Sequence, residues 1–216
     1  MGYSAQPFAI DIQKVKDAFG SKDQNLLDKV KKAKLYSVYA EQEDEGAYDK
    51  CLEDIIFSYV KPSDRKETKK FFGLIKSAPK SGLTESAHVY GYALMAICEV
   101  LGVFLANEGD IFYTGNIFDQ TKEFLKEKGF KITMERFWEA EKIFDIPDND
   151  DFPVISSYSK EEVRYLYNKL VKLNIDESKT NSDNDNYDEQ EELLKFFRDK
   201  LKVCIDNDTQ WLAFTH

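Results

Sequence analysis

Apolar residues along the chain recur mostly at the three-to-four-residue spacing of an amphipathic helix. Over residues 11–19, Ile12, Val15 and Phe19 share one face, and Gly20 follows as a residue able to take the left-handed conformation that ends a helix. Ser21 and Gln24 form a capping-box pattern ahead of Leu26, Leu27, Val30 and Ala33, so the chain opens with two short helices around a Gly-Ser hinge. After the acidic stretch 41–46, the positions of Ala47, Cys51, Leu52, Ile55, Ile56 and Tyr59 predict a third helix. Pro62 and Ser63 predict the start of a fourth, through Phe71, Phe72 and Ile75, ending before Pro79.

Residues 84–105 are the least polar. Ala87, Tyr90, Leu94, Ile97 and Leu101 make one helical stripe, while Val89, Ala93, Ala96 and Val100 make much of the remaining surface apolar. A helix apolar on most sides belongs in the middle of a fold, so this is the predicted central helix, capped by Thr84 and ended by Gly102. Ile111, Phe112 and Tyr113 predict a short strand. A further helix spans 119–128 with Phe124 and Leu125 inward and Gly129 closing it. Residues 130–133 alternate as a strand would, yet Thr133 equally suits the cap of a helix through Phe137, Trp138 and Ile143. Ser159 with Glu162 is a cleaner capping box for a helix carrying Val163, Leu166, Tyr167, Leu170 and Val171. Residues 176–190, rich in Asp, Asn and Ser, read as a mobile acidic loop before a last helix over 189–205. The two ends, 3–10 and 211–216, have strand character and are predicted to pair at an edge of a small sheet. The expectation is one α+β domain over 1–216, predominantly helical, with a small sheet involving the termini.

Composition then narrows the function classes. The chain has 216 residues, 30 Lys+Arg against 40 Asp+Glu, and a formal net charge of -10. That balance disfavours a nucleic-acid binder, whose affinity rests on Lys and Arg neutralising phosphates. Hydrophobic residues at 42% and aromatics at 14% are ample for a packed core. The charge is segregated: 61–80 carries seven basic and two acidic residues, whereas 141–192 carries 15 acidic and six basic, a local balance of -9. Charge of one sign concentrated in one region steers a partner of the opposite sign. Asp148, Asp150 and Asp151 are accordingly the candidate partner-binding residues, and a protein with a basic surface is the expected partner. No secretory signal pattern and no run long enough to span a bilayer are present, which predicts a cytoplasmic protein with no membrane association. The three cysteines, Cys51, Cys98 and Cys204, are widely spaced among apolar residues and read as buried thiols.

Motifs for particular chemistries fail on spacing. Measured from Asp183, a calcium loop would have Tyr187 at position 5 and Leu194 where the bidentate Glu belongs; from Asp148, Phe152 and Pro153 fall at positions 5 and 6. The glycines form neither a dinucleotide fingerprint nor a phosphate loop. No cofactor and no catalytic residue is therefore assigned. The one constellation resembling a pocket is Glu85, His88 and Tyr92, which helical spacing places on one face of the central helix.

Short motifs across nearly the whole length carry a resemblance: Met1-Gly2-Tyr3-Ser4, Phe8-Ala9-Ile10-Asp11, Gly20-Ser21-Lys22-Asp23, Tyr90-Gly91-Tyr92-Ala93-Leu94, Leu101-Gly102, Asp151-Phe152-Pro153, Glu161-Glu162-Val163 and Phe214-Thr215-His216. In these the chain resembles a family of uncharacterised bacterial proteins classed as a domain of unknown function. The resemblance implies a bacterial cytosolic protein of one domain and assigns no catalytic residue. The leading expectation is a non-catalytic protein-binding module, in its most concrete form an immunity-type protein that neutralises a basic toxin or effector through its acidic region. The alternative is an enzyme or small-ligand-binding protein with a pocket near Glu85, His88 and Tyr92. A third reading is a nucleic-acid-associated regulator using the basic stretch 61–80.

Overall fold

The computed structural model describes residues 2–42, 45–65, 68–69, 76–77, 81–106, 111–134, 141–147, 153–173 and 185–215. In chain order its elements are β1 (Gly2–Ile10), α1 (Ile12–Ala18), α2 (Gln24–Val30), α3 (Lys34–Gln42), α4 (Glu45–Glu53), β2 (Thr68–Lys69), β3 (Lys76–Ser77), α5 (Ala87–Leu101), β4 (Val103–Phe104), β5 (Ile111–Thr114), α6 (Gly115–Glu127), β6 (Val154–Tyr158), α7 (Lys160–Lys172), α8 (Asp185–Asp206) and β7 (Gln210–Thr215). The fold is α+β, predominantly helical, with a small sheet built mainly from the terminal strands. It divides into two compact units: Met1–Asp11, Gly102–Ile143 and Asp151–His216 form the first, and Ile12–Leu101 with Phe144–Asp150 the second.

The first unit is organised on an antiparallel sheet. The strands at the two ends pair along Ala5↔Thr215 to Ile10↔Gln210, as expected, but as the central pair and not at an edge: β6 lies outside β7, and β4 and β5 lie outside β1. Burial explains the difference. Ala5, Ala9, Trp211 and Ala213 join the core on one face, while Phe8, Ile10, Leu212 and Phe214 are buried on the other, so these strands read as continuous apolar runs. A proline in a central strand removes a ladder donor. Here the carbonyl of Pro7 accepts from the Leu105 N–H at 2.9 Å, so the N–H that Pro7 lacks would point to that same side. There the neighbouring position is divided between two strands, β5 pairing with residues 2–5 and β4 with Phe8 and Ala9. Gly102 leads into β4 so closely that a Cβ would lie 2.9 Å from the Ala9 carbonyl oxygen.

Across the first face pack Leu125 of α6, Val163, Leu166 and Leu170 of α7, and Leu193, Leu194, Phe197 and Leu201 of α8. The Phe197 ring meets Trp211 edge-on at 5.4 Å. Burying each such side chain contributes about 1.5–3 kcal/mol. The predicted capping box is formed: Ser159 Oγ accepts from the Glu162 N–H, and the Glu162 carboxylate accepts from the Ser159 N–H at 2.8 Å. The outer edge of β6 is satisfied by one residue, Glu141, whose N–H donates to Ile155 O at 2.9 Å and whose carboxylate accepts from the Ser157 N–H and hydroxyl at 3.1 and 2.9 Å. α8 begins at Asp185, so residues 185–190 of the predicted acidic loop are helical; 176–184 lie outside the described residues. Residues 130–133 form no strand, and the predicted continuation through Phe137 and Trp138 lies outside the described residues.

The second unit is built around α5, on which α1, α2, α3 and α4 all pack. Val89, Tyr90, Gly91, Ala93, Leu94, Met95, Ala96, Ile97 and Cys98 are all buried, which is the predicted central helix. It starts at Ala87 and not at Thr84, whose N–H is used elsewhere. Gly20 takes φ +65° after α1 as expected, but the cap of α2 is Asp23, which accepts from the Leu26 N–H at 3.1 Å, and not Ser21. The helix predicted from Pro62 is a single tight turn (Pro62–Asp64); Thr68–Lys69 and Lys76–Ser77 pair as antiparallel strands, and 70–75 lie outside the described residues. Like charges explain the failure: on a helix, Lys61 and Arg65, Arg65 and Lys69, and Lys66 and Lys70 would each stand four residues apart and repel.

Candidate functional site

Among the described residues a cluster of polar side chains lies in the second unit where α4 ends. The chain leaves α4 through a wider π-type turn, Asp54–Ser58, which frees the carbonyls of Ile55 and Ile56 to accept from the N–H groups of Gly20 and Lys22 at 2.8 and 2.9 Å. Such turns recur at functional sites. Asp54, the first residue of this turn, is buried and faces Tyr90 of α5, whose hydroxyl donates to Asp54 Oδ2 at 2.9 Å. The same phenolic oxygen accepts from the N–H groups of Thr84 and Glu85 at 2.8 and 3.1 Å. Lys50, one turn before Asp54, reaches Asp54 Oδ2 at 3.5 Å and also pairs with the Glu85 carboxylate and the Thr84 hydroxyl. Thr84 Oγ1 in turn lies 3.5 Å from Asp54 Oδ2.

Electrostatics fix the protonation of this cluster. Lys50 is held cationic, its pKa raised by the hydrogen bond to Glu85 and by Asp54 beside it. Burial raises the Tyr90 hydroxyl well above its ordinary value, and Asp54 as acceptor adds to that, so Tyr90 is a neutral donor. Burial pushes Cys51, next to Lys50, up to about 12, with Glu85 and Asp54 adding to the effect. Cys98 is raised by burial alone, and Cys204 in the first unit is pushed by burial to about 12. All three thiols are buried and protonated near neutrality, as the sequence suggests. The arrangement chemically suits a lock that ties the segment ahead of α5 to the end of α4. Lys50, Asp54, Thr84, Glu85 and Tyr90 each have a partner inside it.

The sequence-predicted pocket is brought together only in part. Glu85 belongs to the Lys50 lock. His88 and Tyr92 are half-buried one turn apart on α5. Tyr92 stacks on Tyr39 with ring centroids 4.6 Å apart, and its carbonyl accepts from the buried Tyr48 hydroxyl at 3.1 Å. This extends into an aromatic cluster with Tyr36, whose hydroxyl donates to Asp49 at 2.9 Å, where Lys31 also pairs at 2.9 Å. Sequence reasoning missed Lys50, Asp54, Thr84 and Tyr90 as a group. The available signal was the Lys50–Asp54 spacing of four on a predicted helix, together with a tyrosine on the most apolar stripe of the chain. Asp148, Asp150 and Asp151, the predicted partner-binding residues, lie outside the described residues.

Among the described residues no three His, Cys, Asp or Glu side chains gather as a metal site, and no helix is long and apolar enough to cross a membrane. No curated protein and no solved structure shows detectable similarity to the chain. One family model does match, over residues 1–214, which is almost all of the sequence. On that match the chain belongs to the family described as Domain of unknown function (DUF7691).

Proposed function

We propose that the protein is a non-catalytic bacterial binding module of the cytoplasm that captures a protein partner with a basic surface. In its most concrete form it is an immunity-type protein that masks a basic toxin or effector. The observation that carries this reading is the opening of α8, where Asp185, Asp188, Glu189, Glu191 and Glu192 occupy five of eight positions. Glu189 and Glu192 there are exposed and make no ion pair among the described residues. Two basic residues of the same acidic quarter, Lys160 and Arg164, are instead both spent on Asp208, each at 2.8 Å. Support against a catalytic role comes from the mutual satisfaction of Lys50, Asp54, Glu85 and Tyr90 and from the protonated state of the thiols.

The test is co-expression with the product of the adjacent gene. The expected result is relief of that product's toxicity by the native chain and loss of relief in a variant carrying D148K, D150K, D151K, E189K and E192K. A second variant with the same number of reversals at exposed acidic residues outside 141–192 should still protect. Equal protection by both variants overturns the acidic-surface reading, and a neighbour with no toxicity of its own overturns the immunity form.

A further inference from the structure

We propose that the second unit carries a small-ligand site for a zwitterion, an α-amino acid with an apolar side chain, in the cleft between α1 and α2. The cleft has a volume of about 310 Å³, at the lower end of the range of small-molecule sites. Its floor is apolar, made by Ala18, Leu26, Val100 and Leu101. Its walls carry Lys14 and Asp17 from α1 and Lys29 from α2, with Asp23 at the mouth of the turn. An apolar body with one positive and one negative end matches that lining.

Lys14 and Lys29 make no ion pair among the described residues, so both ammonium groups are open to a ligand. Two cations on either side of an apolar floor call for a carboxylate. A purely anionic ligand fits less well, because Asp17 and Asp23 line the same space. Each of these uses one oxygen internally, Asp17 accepting from the Gln13 amide at 2.8 Å and Asp23 capping α2, and each keeps a second oxygen for an ammonium group. The floor is also the carboxy end of the 15-residue helix α5, the negative pole of its dipole, which favours a cation there.

The walls are set in advance. The turn between them is pinned by Gly20 N–H to Ile55 O and by Lys22 N–H to Ile56 O, and Lys22 holds φ +58°, a conformation unfavourable for a side-chain-bearing residue. Backbone strain of this kind persists where the surroundings impose it, and it collects at binding sites. A cleft whose walls need no rearrangement loses little entropy on binding.

The experiment titrates the whole chain with L-leucine, N-acetyl-leucine and leucinamide, followed by two-dimensional amide NMR. Leucine should bind saturably with a Kd of roughly 1 mM or tighter, shifting amides of residues 14–29 and 100–101. The acetyl and amide analogues, each lacking one charge, should bind at least tenfold more weakly. K29Q should cost leucine affinity about tenfold, as should D17N, while both keep the amide dispersion of the native chain. Absence of saturable shifts with leucine, equal binding of all three compounds, or unchanged leucine affinity in folded K29Q and D17N each overturns the assignment. The partner-capture test is indifferent to these variants, because none of the residues involved belongs to 141–192.

Discussion

Replacing Tyr90 with Phe removes one oxygen and three hydrogen bonds while leaving the ring, and with it the apolar packing of α5, in place. The largest loss is the bond to Asp54, whose side chain is only 10% exposed. A hydrogen bond to a charged group contributes about 1.5–3 kcal/mol. The carboxylate is left with Lys50 and Thr84, both at 3.5 Å, too far to replace a 2.9 Å donor. The N–H groups of Thr84 and Glu85 lose their acceptor too, but they lie in a part-exposed turn where water substitutes at a cost of roughly 0.5 kcal/mol each. The expected destabilisation is about 2–4 kcal/mol, and at about 2–4 °C per kcal/mol for a chain of this size Tm falls by roughly 5–15 °C. Urea denaturation measures the total, and hydrogen exchange should place the lost protection in residues 45–58 and 84–101. D54N supplies the second edge of a double-mutant cycle, in which a coupling near 2 kcal/mol is expected for a bonded pair. A Y90F variant within about 0.5 kcal/mol of the native chain, or a coupling near zero, would refute the lock.

Other outcomes follow from the same physics. Stability should fall in alkali: Cys51 and Cys204 ordinarily titrate near 9.0 and are pushed by burial to about 12 when folded, so their contribution is whole below pH 9 and is lost as pH rises toward 12. For Cys204 the slope is about 1.4 kcal/mol per pH unit, and a urea midpoint that stays flat from pH 8 to 11 contradicts it. G82A should be far worse than G129A. Both glycines have positive φ, at +87° and +75°, but a Cβ on Gly82 would lie 2.2 Å from the Ser58 carbonyl oxygen whereas Gly129 faces open space. Thermal melts should show a loss above about 3 kcal/mol for the first and about 1 kcal/mol for the second; equal losses would mean that the close approach is not real. S159A removes the α7 cap and should cost about 1 kcal/mol by urea denaturation, with a loss below about 0.3 kcal/mol counting against the capping box. E141A removes the acceptor of the Ser157 N–H on the outer edge of β6, while the backbone N–H at that position still donates to Ile155, and light scattering during partial denaturation should then rise above the native level; no rise means that another group covers that donor.

Much of the second unit was legible because its signals are local. Gly20 and the α5 stripe each act within one or two turns. In the first unit the Ser159–Glu162 box and the closing Gly129 are readable for the same reason. What escaped depended on contacts remote in sequence. Asp54 and Tyr90 are 36 residues apart, and nothing in either neighbourhood announces the other. The central position of β1 and β7 was hidden because the end strands of a sheet and its middle strands differ in burial on the second face, which no periodicity within one strand reveals. The false helix from Pro62 arose from weighing apolar spacing alone, when the like charges at spacing four already argued against it.

Charge arithmetic along a chain likewise becomes a statement about a surface only after the fold has been applied. Lys160 and Arg164, at the start of α7, reach Asp208, just past the end of α8, so the two helices run antiparallel. Glu161 therefore sits at the opposite end of this helix pair from Glu189 and Glu192, although all three belong to the same acidic quarter of the sequence. A partner that meets one end does not meet the other, since α8 with its 22 residues is about 33 Å long, several times the screening length at physiological salt. Reversal of Glu189 and Glu192 together should thus slow capture of a basic partner at physiological salt, while E161K alone should leave it unchanged there. A stopped-flow measurement of the association rate against ionic strength separates the two. Equal slowing by both variants would mean that the region acts through its summed charge, with no particular face of α8 engaged.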